Sequence, residues 1–420
     1  MLDKNIKLNW VKTSKFNTVA LLISFINERK EENISKYVML SAVLGSLTEK
    51  YNTKKSLNEK LYSLYNCNIY WASLNMYKNE NVSLYVEFIN PSVVKDENLL
   101  DEIFDLINEF LYCPLLNDSK DSFEEKNFNE KKRLILEQID SLYNNKEKYA
   151  VNKLLSHMRR EKEFPLSNLV SREQIESLSS KELYEFYKYL LNNSFVAISG
   201  MGDIDFSLIE EKMSKFNLKS NEINMEFYSK KDYEQLECKY IEETQDIKQA
   251  KLNIAFRTSI SASSAQYPAY VVFSTMFGGM FNSTLSNVVR EKLSLAYNIY
   301  NNILVDKKIM TVHAGIDSSK VKEVTEIILS ELKKYQSGNI EEGKQLFKMA
   351  KECILNDMLQ VYDTQGSLLI RKLKDSITDT RKYDDLIKDI YEVKYEEIIS
   401  CSKELYLDTI FVLKGSDNYE

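Results

Sequence analysis

The pattern of apolar and polar positions along the chain occurs twice. The segment "YVMLSAVLG" at residues 37–45 returns as "YVVFSTMFG" at residues 270–278. Three further pairs have the same order in both copies: "ISF" at 23–25 with "IAF" at 254–256, "NIY" at 68–70 with "NIY" at 298–300, and "SKELY" at 180–184 with "SKELY" at 402–406. Their offset stays between 222 and 233 residues. Because the order is kept, the sequence predicts a tandem duplication of a unit of about 200 residues.

Each copy contains both helix and strand patterns. Apolar residues at spacings of three and four mark one helix in each copy: Leu100, Ile103, Ile107 and Leu111, then Val321, Val324, Ile328 and Leu332. In "SLYVEFI" the apolar residues Leu84, Val86 and Phe88 alternate with Tyr85 and Glu87, which is typical of a strand. We therefore predict an α+β fold of two homologous lobes, each a mostly antiparallel sheet with helices packed on one face.

The lobe boundaries are predicted from a shift in composition. Residues 219–246 are polar and rich in charge, with weak periodicity, which is typical of a linker. An N-terminal lobe at residues 1–218 and a C-terminal lobe at residues 247–420 would flank it.

Charge and composition exclude several classes of protein. The chain has 420 residues, with 56 Lys and Arg against 63 Asp and Glu, and a formal net charge of −7. It has no dense basic block, so nucleic acid is not an expected partner. The first residues do not resemble a signal peptide and no apolar run is long enough to span a bilayer, so we expect a cytoplasmic protein that does not bind membranes. The five cysteines have no CxxC spacing and are expected to be free thiols.

One segment of the second copy carries candidate chemistry. In "GGMFNSTLSNVVREKLSLAYNIY", residues 278–300, Arg290 and Tyr297 lie seven positions apart across a predicted helix-to-strand junction. A guanidinium can bind peptide carbonyls or a carboxylate, and a phenol can donate to a developing oxyanion. Spacing alone also allows an arginine packed over a tyrosine at the lobe surface. Gly278 and Gly279 would shape the preceding turn.

The segment "GGMFNSTLSNVVREKLSLAY", together with "GDIDFSLIEEKMSKF" at residues 202–216, resembles the insulinase-like (pitrilysin) family of zinc metallopeptidases and processing-peptidase subunits. "KTSKFNT" at 12–18 and "KEKYAVNKLL" at 146–155 are most similar to its bacterial YfmF-type members. The resemblance implies two lobes per chain, dimers that enclose a peptide chamber, and a substrate-binding role for Arg290 and Tyr297.

The chain departs from this family at the zinc motif. Active members carry His-x-x-Glu-His on the first long helix, and the corresponding positions here are Val38, Ser41 and Ala42. Zinc hydrolysis needs about three nitrogen or oxygen ligands, a bound water and a carboxylate base. Glu137 lies near the expected third ligand, but without the histidines we interpret it as a solvated helix residue. We therefore predict that this chain binds no cofactor, and expect zinc in a partner.

The chain has only two histidines, so each can be considered in turn as a ligand of a metal site elsewhere in the sequence. His157 has Glu161 one helical turn away, and His313 lies in an alternating strand pattern. Neither has a second nitrogen ligand within reach by sequence, so we expect His157 to be an exposed or lightly bonded helix histidine and His313 a strand histidine at the lobe interior or edge. No spacing supports Cys67 or Cys113 as metal ligands.

These observations lead to one main hypothesis and several alternatives. The main hypothesis is a non-catalytic, substrate-binding subunit of a heterodimeric zinc metalloendopeptidase, with Arg290 holding the peptide backbone and Tyr297 donating to the oxygen of the tetrahedral intermediate. Gly278 and Gly279 would belong to the same substrate-binding segment. The alternatives are a structural or peptide-binding pseudopeptidase, which could pair with itself as a homodimer, and a stand-alone peptidase with an unrecognised metal site.

Overall fold

The structure is a computed structural model that describes residues 2–45, 47–76, 78–158, 170–228 and 235–415. The chain divides into two compact units, and each unit is discontinuous in sequence. Unit 1 contains the described residues of Met1–Asp140, Val170–Phe227 and Tyr362–Thr378. Unit 2 contains those of Ser141–Leu169, Tyr228–Val361 and Asp379–Glu420.

Each unit is built on five strands. Those of unit 1 are β1 (Lys7–Lys12), β2 (Thr18–Glu28), β3 (Asn68–Met76), β4 (Asn79–Ile89) and β5 (Phe195–Gly202). Those of unit 2 are β6 (Lys239–Gln245), β7 (Ala250–Arg257), β8 (Ala296–Leu304), β9 (Ile309–Ile316) and β10 (Tyr406–Gly415).

Fifteen α-helices are found among the described residues. In the first half of the chain they are α1 (Ile34–Leu44), α2 (Lys54–Ser63), α3 (Pro91–Val94), α4 (Leu99–Tyr112), α5 (Glu125–Asn144), α6 (Lys146–His157), α7 (Arg172–Ser177), α8 (Ser180–Asn193) and α9 (Phe206–Met213). In the second half they are α10 (Tyr267–Ser274), α11 (Val321–Ser337), α12 (Gly343–Gln360), α13 (Gln365–Ile377), α14 (Tyr383–Glu392) and α15 (Tyr395–Lys403). None of the helices in the described ranges is long and apolar enough to cross a bilayer.

The two sheets have the same topology. Their strand orders are β1-β5-β2-β4-β3 and β6-β10-β7-β9-β8. In each sheet the first strand pairs in parallel with the last strand of its unit, and all other pairs are antiparallel. The predicted α+β fold and duplicated lobes are therefore confirmed. Strand β6 falls within residues 219–246, the segment predicted to be the linker.

The main core of unit 1 lies between one sheet face and the helices. Alternate side chains of β2 enter this core: Val19, Leu21, Ile23 and Phe25. Helices α1, α4 and α8 supply its other wall, with Leu40, Ile107 and Leu183 among the fully buried residues. Because apolar burial contributes about 25 cal/mol per Å², this layer is the main source of stability for the unit.

The second face of each sheet is also covered, by a helix from the other half of the sequence. In unit 1, Leu368, Leu369 and Leu373 of α13 pack against Ala20 and Leu22 of β2. In unit 2, α6 lies against β7 and β10. The sequence pattern predicted helices on one face and missed this exchange.

Buried hydrogen bonds fix both exchanged helices. The Gln365 side chain at the start of α13 donates to the carbonyl oxygens of Thr18 (3.0 Å) and Met201 (2.9 Å). At the end of α6, the buried Arg257 donates from Nη2 to the Met158 carbonyl oxygen at 3.0 Å and pairs through Nε with Asp408 at 2.9 Å. An unpaired buried polar group costs about 1–3 kcal/mol, so these bonds specify where each helix docks.

Candidate functional site

The segment that carries Arg290 and Tyr297 contains two stretches of π-helix. The first, Thr275–Gly279, continues directly from α10, and the second, Ser286–Lys292, packs against the edge strand β8. π-Helical turns are rare and are often found at functional sites. After Lys292 the chain passes Ser294, which has a left-handed φ of 53°, and enters β8.

Arg290 is held by two neighbours on its own segment. Its Nε and Nη2 atoms lie 2.8 Å and 2.6 Å from Oε1 of Glu291. Its Cζ atom lies 4.6 Å from the centroid of the Phe281 ring, which is a cation–π arrangement. The arginine side chain is 28% exposed. The guanidinium is therefore positioned by a carboxylate at its edge and an aromatic ring at its face.

Tyr297 points away from the body of the unit. Its residue is 75% exposed, and its hydroxyl has no hydrogen-bond partner among the residues that the structure describes. The register between β8 and β9 shifts between Ala296 and Asn298, so Tyr297 has no directly opposite partner in the ladder. A bulge of this kind redirects a side chain at the edge of a sheet.

Arg290 and Tyr297 thus lie on elements that pack together, but their side-chain contacts differ from the simple pair that the spacing allowed. The aromatic ring under Arg290 belongs to Phe281 and not to a tyrosine. Both residues belong to unit 2, where the Arg290 side chain is partly exposed and Tyr297 is mostly exposed.

The two glycines make room for strand β8. A side chain at Gly278 would bring its Cβ atom to 3.1 Å from both Cγ and the backbone nitrogen of Asn301. At Gly279 the nearest atoms would be the Ser274 carbonyl oxygen at 3.3 Å and Oδ1 of Asn301 at 3.5 Å. Contacts near 3.1 Å are tighter than ordinary packing. The glycines therefore let the π-helical turn approach β8 closely, which positions the segment.

The positions of the degenerate zinc motif lie on α1 and supply no metal chemistry. Val38 and Ala42 are half-buried and pack against the core of unit 1. The Ser41 hydroxyl donates to the Val38 carbonyl oxygen at 2.9 Å, within the helix. In the second copy Thr275 bonds to the Val271 carbonyl in the same way, at 3.0 Å. These residues do not fit a zinc ion.

Glu137 is an exposed residue of α5. It forms an ion pair with Nη1 of Arg133 one turn earlier, at 2.5 Å, and both side chains are well exposed. This is the solvated helix residue that the sequence predicted. Among the described residues, no group of three or more His, Cys, Asp or Glu side chains is placed to hold a metal ion.

Both histidines contact neighbouring side chains of unit 2. His313 is buried in β9, with Nδ1 at 2.7 Å from Oδ1 of Asn253 and Nε2 at 2.8 Å from Oγ1 of Thr311. Burial lowers the pKa of His313 to about 4. His157, at the end of α6, stacks on Phe411 with ring centroids 5.9 Å apart. Burial and the nearby lysines Lys153 and Lys239 lower its pKa, while Glu243 opposes them.

Neither histidine, and neither candidate cysteine, completes a metal site within the described part of the chain. Glu161, the predicted companion of His157, lies outside the described residues. Cys67 is buried and Cys113 is half-buried, and both are free thiols. Burial raises the pKa of Cys67 to about 12, so its thiol stays protonated at neutral pH.

A small cavity lies beside the helical stretch that carries Arg290. It has a volume of about 180 Å³, and Thr284, Glu291, Glu331 and Tyr335 are among its lining residues. Its buried polar groups already bond to each other: the hydroxyls of Thr284 and Tyr335 are 2.7 Å apart, and Glu331 pairs with Lys334 at 2.6 Å. The cavity therefore presents little unsatisfied chemistry to a ligand.

Sequence reasoning missed three residues of the site: Phe281, Glu291 and Asn301. Phe281 could have been noticed, because it is a large aromatic residue in the otherwise turn-like "GGMFNST". Glu291 could not, since adjacent residues on a helix do not normally face each other. Asn301 is recognisable only once the turn is seen to approach β8.

Comparisons with known proteins identify relatives of the chain. Residues 177–351 match the family model described as the Peptidase M16 inactive domain. The "Probable inactive metalloprotease YmfF" of Bacillus subtilis (strain 168) is 27% identical over 410 residues, covering 97% of this chain and 95% of that protein. The "Uncharacterized zinc protease YmxG" of the same organism is 21% identical over 300 residues, covering 68% of this chain and 70% of that protein.

Solved structures share the fold. A conserved protein from Enterococcus faecalis V583 superposes with a TM-score of 0.92 at 24% identity, covering 99% of both chains. A peptidase M16 inactive domain from Pseudomonas fluorescens superposes with a TM-score of 0.76 at 13% identity, covering 99% of this chain and 97% of that one. At identities below 25%, this likeness shows a shared fold.

Proposed function

The chain is a relative of the M16, or insulinase-like, peptidases, as its sequence indicated, and from this premise we propose that it is the non-catalytic, substrate-binding subunit of a heterodimeric zinc metalloendopeptidase. The observation that carries the proposal is a contrast between two sites. The positions of the zinc motif, Val38, Ser41 and Ala42, hold no metal ligands. In the second copy, in contrast, the Arg290 side chain is partly exposed and Tyr297 is mostly exposed.

Arg290 is suited to hold a peptide backbone. A guanidinium carries five N–H donors, and Glu291 engages only Nε and Nη2. The remaining donors are available for a substrate carbonyl or a carboxylate. Because the ring of Phe281 supports the guanidinium from one side, less side-chain entropy is lost when the peptide binds.

Tyr297 is suited to donate a hydrogen bond to the reacting carbonyl. Its hydroxyl is exposed and, in the described structure, has no competing partner. Strand β8 is the last strand in the order of its sheet, and this proposal has an extended peptide add to its outer side by main-chain hydrogen bonds. A peptide bound there would pass beside Tyr297, and the phenol would stabilise negative charge that develops on the carbonyl oxygen.

The zinc ion and the general base are assigned by this proposal to a second chain that carries His-x-x-Glu-His. The support is chemical: the α1 positions of this chain offer only aliphatic groups and a hydroxyl that is already bonded within the helix. Hydrolysis would require both chains, with binding and charge stabilisation supplied here.

The test is to purify the tagged chain from its own source cells and identify its companions by mass spectrometry. We expect a stoichiometric chain of similar size with His-x-x-Glu-His, and zinc-dependent peptide cleavage only when both chains are present. Recovery of the chain alone or as a homodimer, with no cleavage when the zinc-bearing relative is added, would overturn the heterodimer proposal.

A second candidate function is favoured by one contact. Because Arg290 is already bonded to Glu291, the segment could bind a peptide or a partner chain without contributing to hydrolysis. A structural or peptide-binding pseudopeptidase, including a homodimeric one, would retain the same surface. The two candidates differ in whether the Tyr297 hydroxyl contributes to turnover.

A further inference from the structure

We infer that Phe281 forms a subsite for an apolar or aromatic side chain of the bound peptide, next to the backbone position that Arg290 holds. This inference rests on the proposed function, since it names the kind of substrate that the same site selects. The residue lies in the turn between the two π-helical stretches and is 74% exposed.

The exposure of Phe281 needs a physical reason. Turns are usually polar, and a large exposed aromatic ring gives up the free energy that its burial would contribute. Two further large apolar residues, Leu293 and Tyr297, are also exposed within residues 281–297, on either side of the turn into β8. Several exposed apolar side chains within one short segment indicate a binding surface, whereas single exposed apolar residues are not informative.

The contact with Arg290 covers only part of the surface of the Phe281 ring. The guanidinium lies over the ring with Cζ 4.6 Å from the centroid, and the residue is nevertheless mostly exposed. The uncovered surface can take a second apolar group in an offset or edge-on arrangement. Phe281 therefore supports Arg290 and still offers a contact surface to a ligand.

Distance and charge define which side chain would bind. Alternate side chains of an extended peptide are about 7 Å apart along the strand. Because the Phe281 ring lies against the Arg290 guanidinium, it can contact only one peptide side chain near the backbone position that Arg290 binds. The subsite therefore belongs to the residue whose carbonyl Arg290 binds, or to the next one. The positive charge of Arg290 disfavours Lys and Arg at that position, and Glu291 disfavours Asp and Glu.

The experiment measures fluorescence anisotropy of labelled peptides with the full-length chain. The probes are two Gly/Ser-rich peptides of equal length, one with a single central Phe and one with Ala at that position. We expect the Phe peptide to bind roughly three- to tenfold more tightly, which is the range of an added aromatic contact. Phe281→Ala should abolish this preference, Phe281→Tyr should keep it, and Arg290→Gln should weaken both peptides equally.

Tyr391→Ala is the matched control, because Tyr391 is an exposed aromatic residue elsewhere in unit 2, and it should keep the preference. If the preference persists in Phe281→Ala, or if the native chain binds both peptides equally, the subsite is overturned while the proposed function stands. An equal loss for both peptides in Phe281→Ala would make Phe281 only a support for Arg290 and would also overturn it. If neither peptide binds the native chain, both the subsite and the proposed peptide-binding function fail.

Discussion

Arg290 forms its ion pair with the residue that follows it in the sequence: Nη2 of Arg290 lies 2.6 Å from Oε1 of Glu291. The two residues are adjacent in the π-helical stretch Ser286–Lys292, and the long arginine side chain reaches back to the carboxylate of its neighbour. The proposed peptide ligand of Arg290 must therefore compete with a carboxylate that is always present.

Replacing Glu291 by Gln should strengthen peptide binding. The neutral amide holds the guanidinium less strongly, which frees donors for the peptide carbonyl. Partly exposed ion pairs contribute about 0.2–1 kcal/mol, so the Kd should fall by up to about fivefold. Fluorescence anisotropy with a labelled extended peptide measures the change.

Glu341→Gln is the control for the Glu291 experiment. Glu341 pairs with the neighbouring Lys292 at 3.1 Å, so this variant makes the same change in net charge close to the same helix. An equal gain in both variants would show a general charge effect and contradict a specific role for the Arg290–Glu291 pair.

Tyr297→Phe should reduce turnover by the complete two-chain complex without weakening peptide binding. The variant removes only the hydroxyl, and loss of one donor to a developing oxyanion costs about a hundredfold or more in kcat. Steady-state kinetics separate kcat from KM. Tyr391→Phe, which removes another exposed phenol of unit 2, should leave both constants unchanged. Normal turnover in Tyr297→Phe would instead support the pseudopeptidase alternative.

Gly278→Ala should destabilise the protein more than Gly279→Ala does. Both variants gain the same helix propensity, but only the first places a methyl group at 3.1 Å from two atoms of Asn301. Overpacking of this kind costs about 1–3 kcal/mol. Denaturant unfolding measures the difference, and equal stability of the two variants would show that Asn301 moves aside without cost.

His313 should make the protein less stable as the pH falls from about 6.5 to about 4. The folded pKa is lowered to about 4 by burial, so within this window the unfolded chain binds a proton that the folded chain does not. The free energy of unfolding then falls with decreasing pH by up to about 1.4 kcal/mol per unit. Denaturant unfolding of the native chain and His313→Gln at pH 7 and pH 5 should show a smaller drop for the variant.

His157→Gln provides the comparison for the pH experiment. His157 is less buried and its pKa is also lowered, so its removal should change the pH dependence less than the loss of His313. If both variants keep the full drop between pH 7 and pH 5, the acid sensitivity arises from other groups.

The duplication was predictable from the sequence because each repeated segment occupies the same place in its own sheet. "NIY" opens β3 in the first copy, and in the second copy it lies in β8, the equivalent edge strand. Because the repeats keep their order, the sequence predicted that the two sheets would have the same strand order. The surroundings of His313 were not predictable, since its partner Asn253 becomes its neighbour only through the register of β7 against β9.

The sequence of β2 indicated that the sheet of unit 1 is covered on both faces. The alternating pattern of the β4 segment indicated only one covered face. Strand β2 is apolar on both faces, with Val19 and Ala20 both fully buried. A continuous apolar run is typical of a strand covered on both sides. The identity of the covering helix could not be read from the sequence, because any amphipathic helix offers the same stripe of leucines that α13 does.

The position of α13 in the sequence has a consequence for biosynthesis. Strand β5, which completes the sheet of unit 1, ends at Gly202, while α13 ends at Ile377. At roughly 5–20 residues per second, a ribosome needs on the order of 10–35 s to pass from one to the other. During that interval the apolar face formed by Ala20, Leu22 and Met201 has no covering helix. Neither half of the chain alone supplies every helix of its unit, so we expect the nascent N-terminal half to expose this apolar face until α13 has been synthesised.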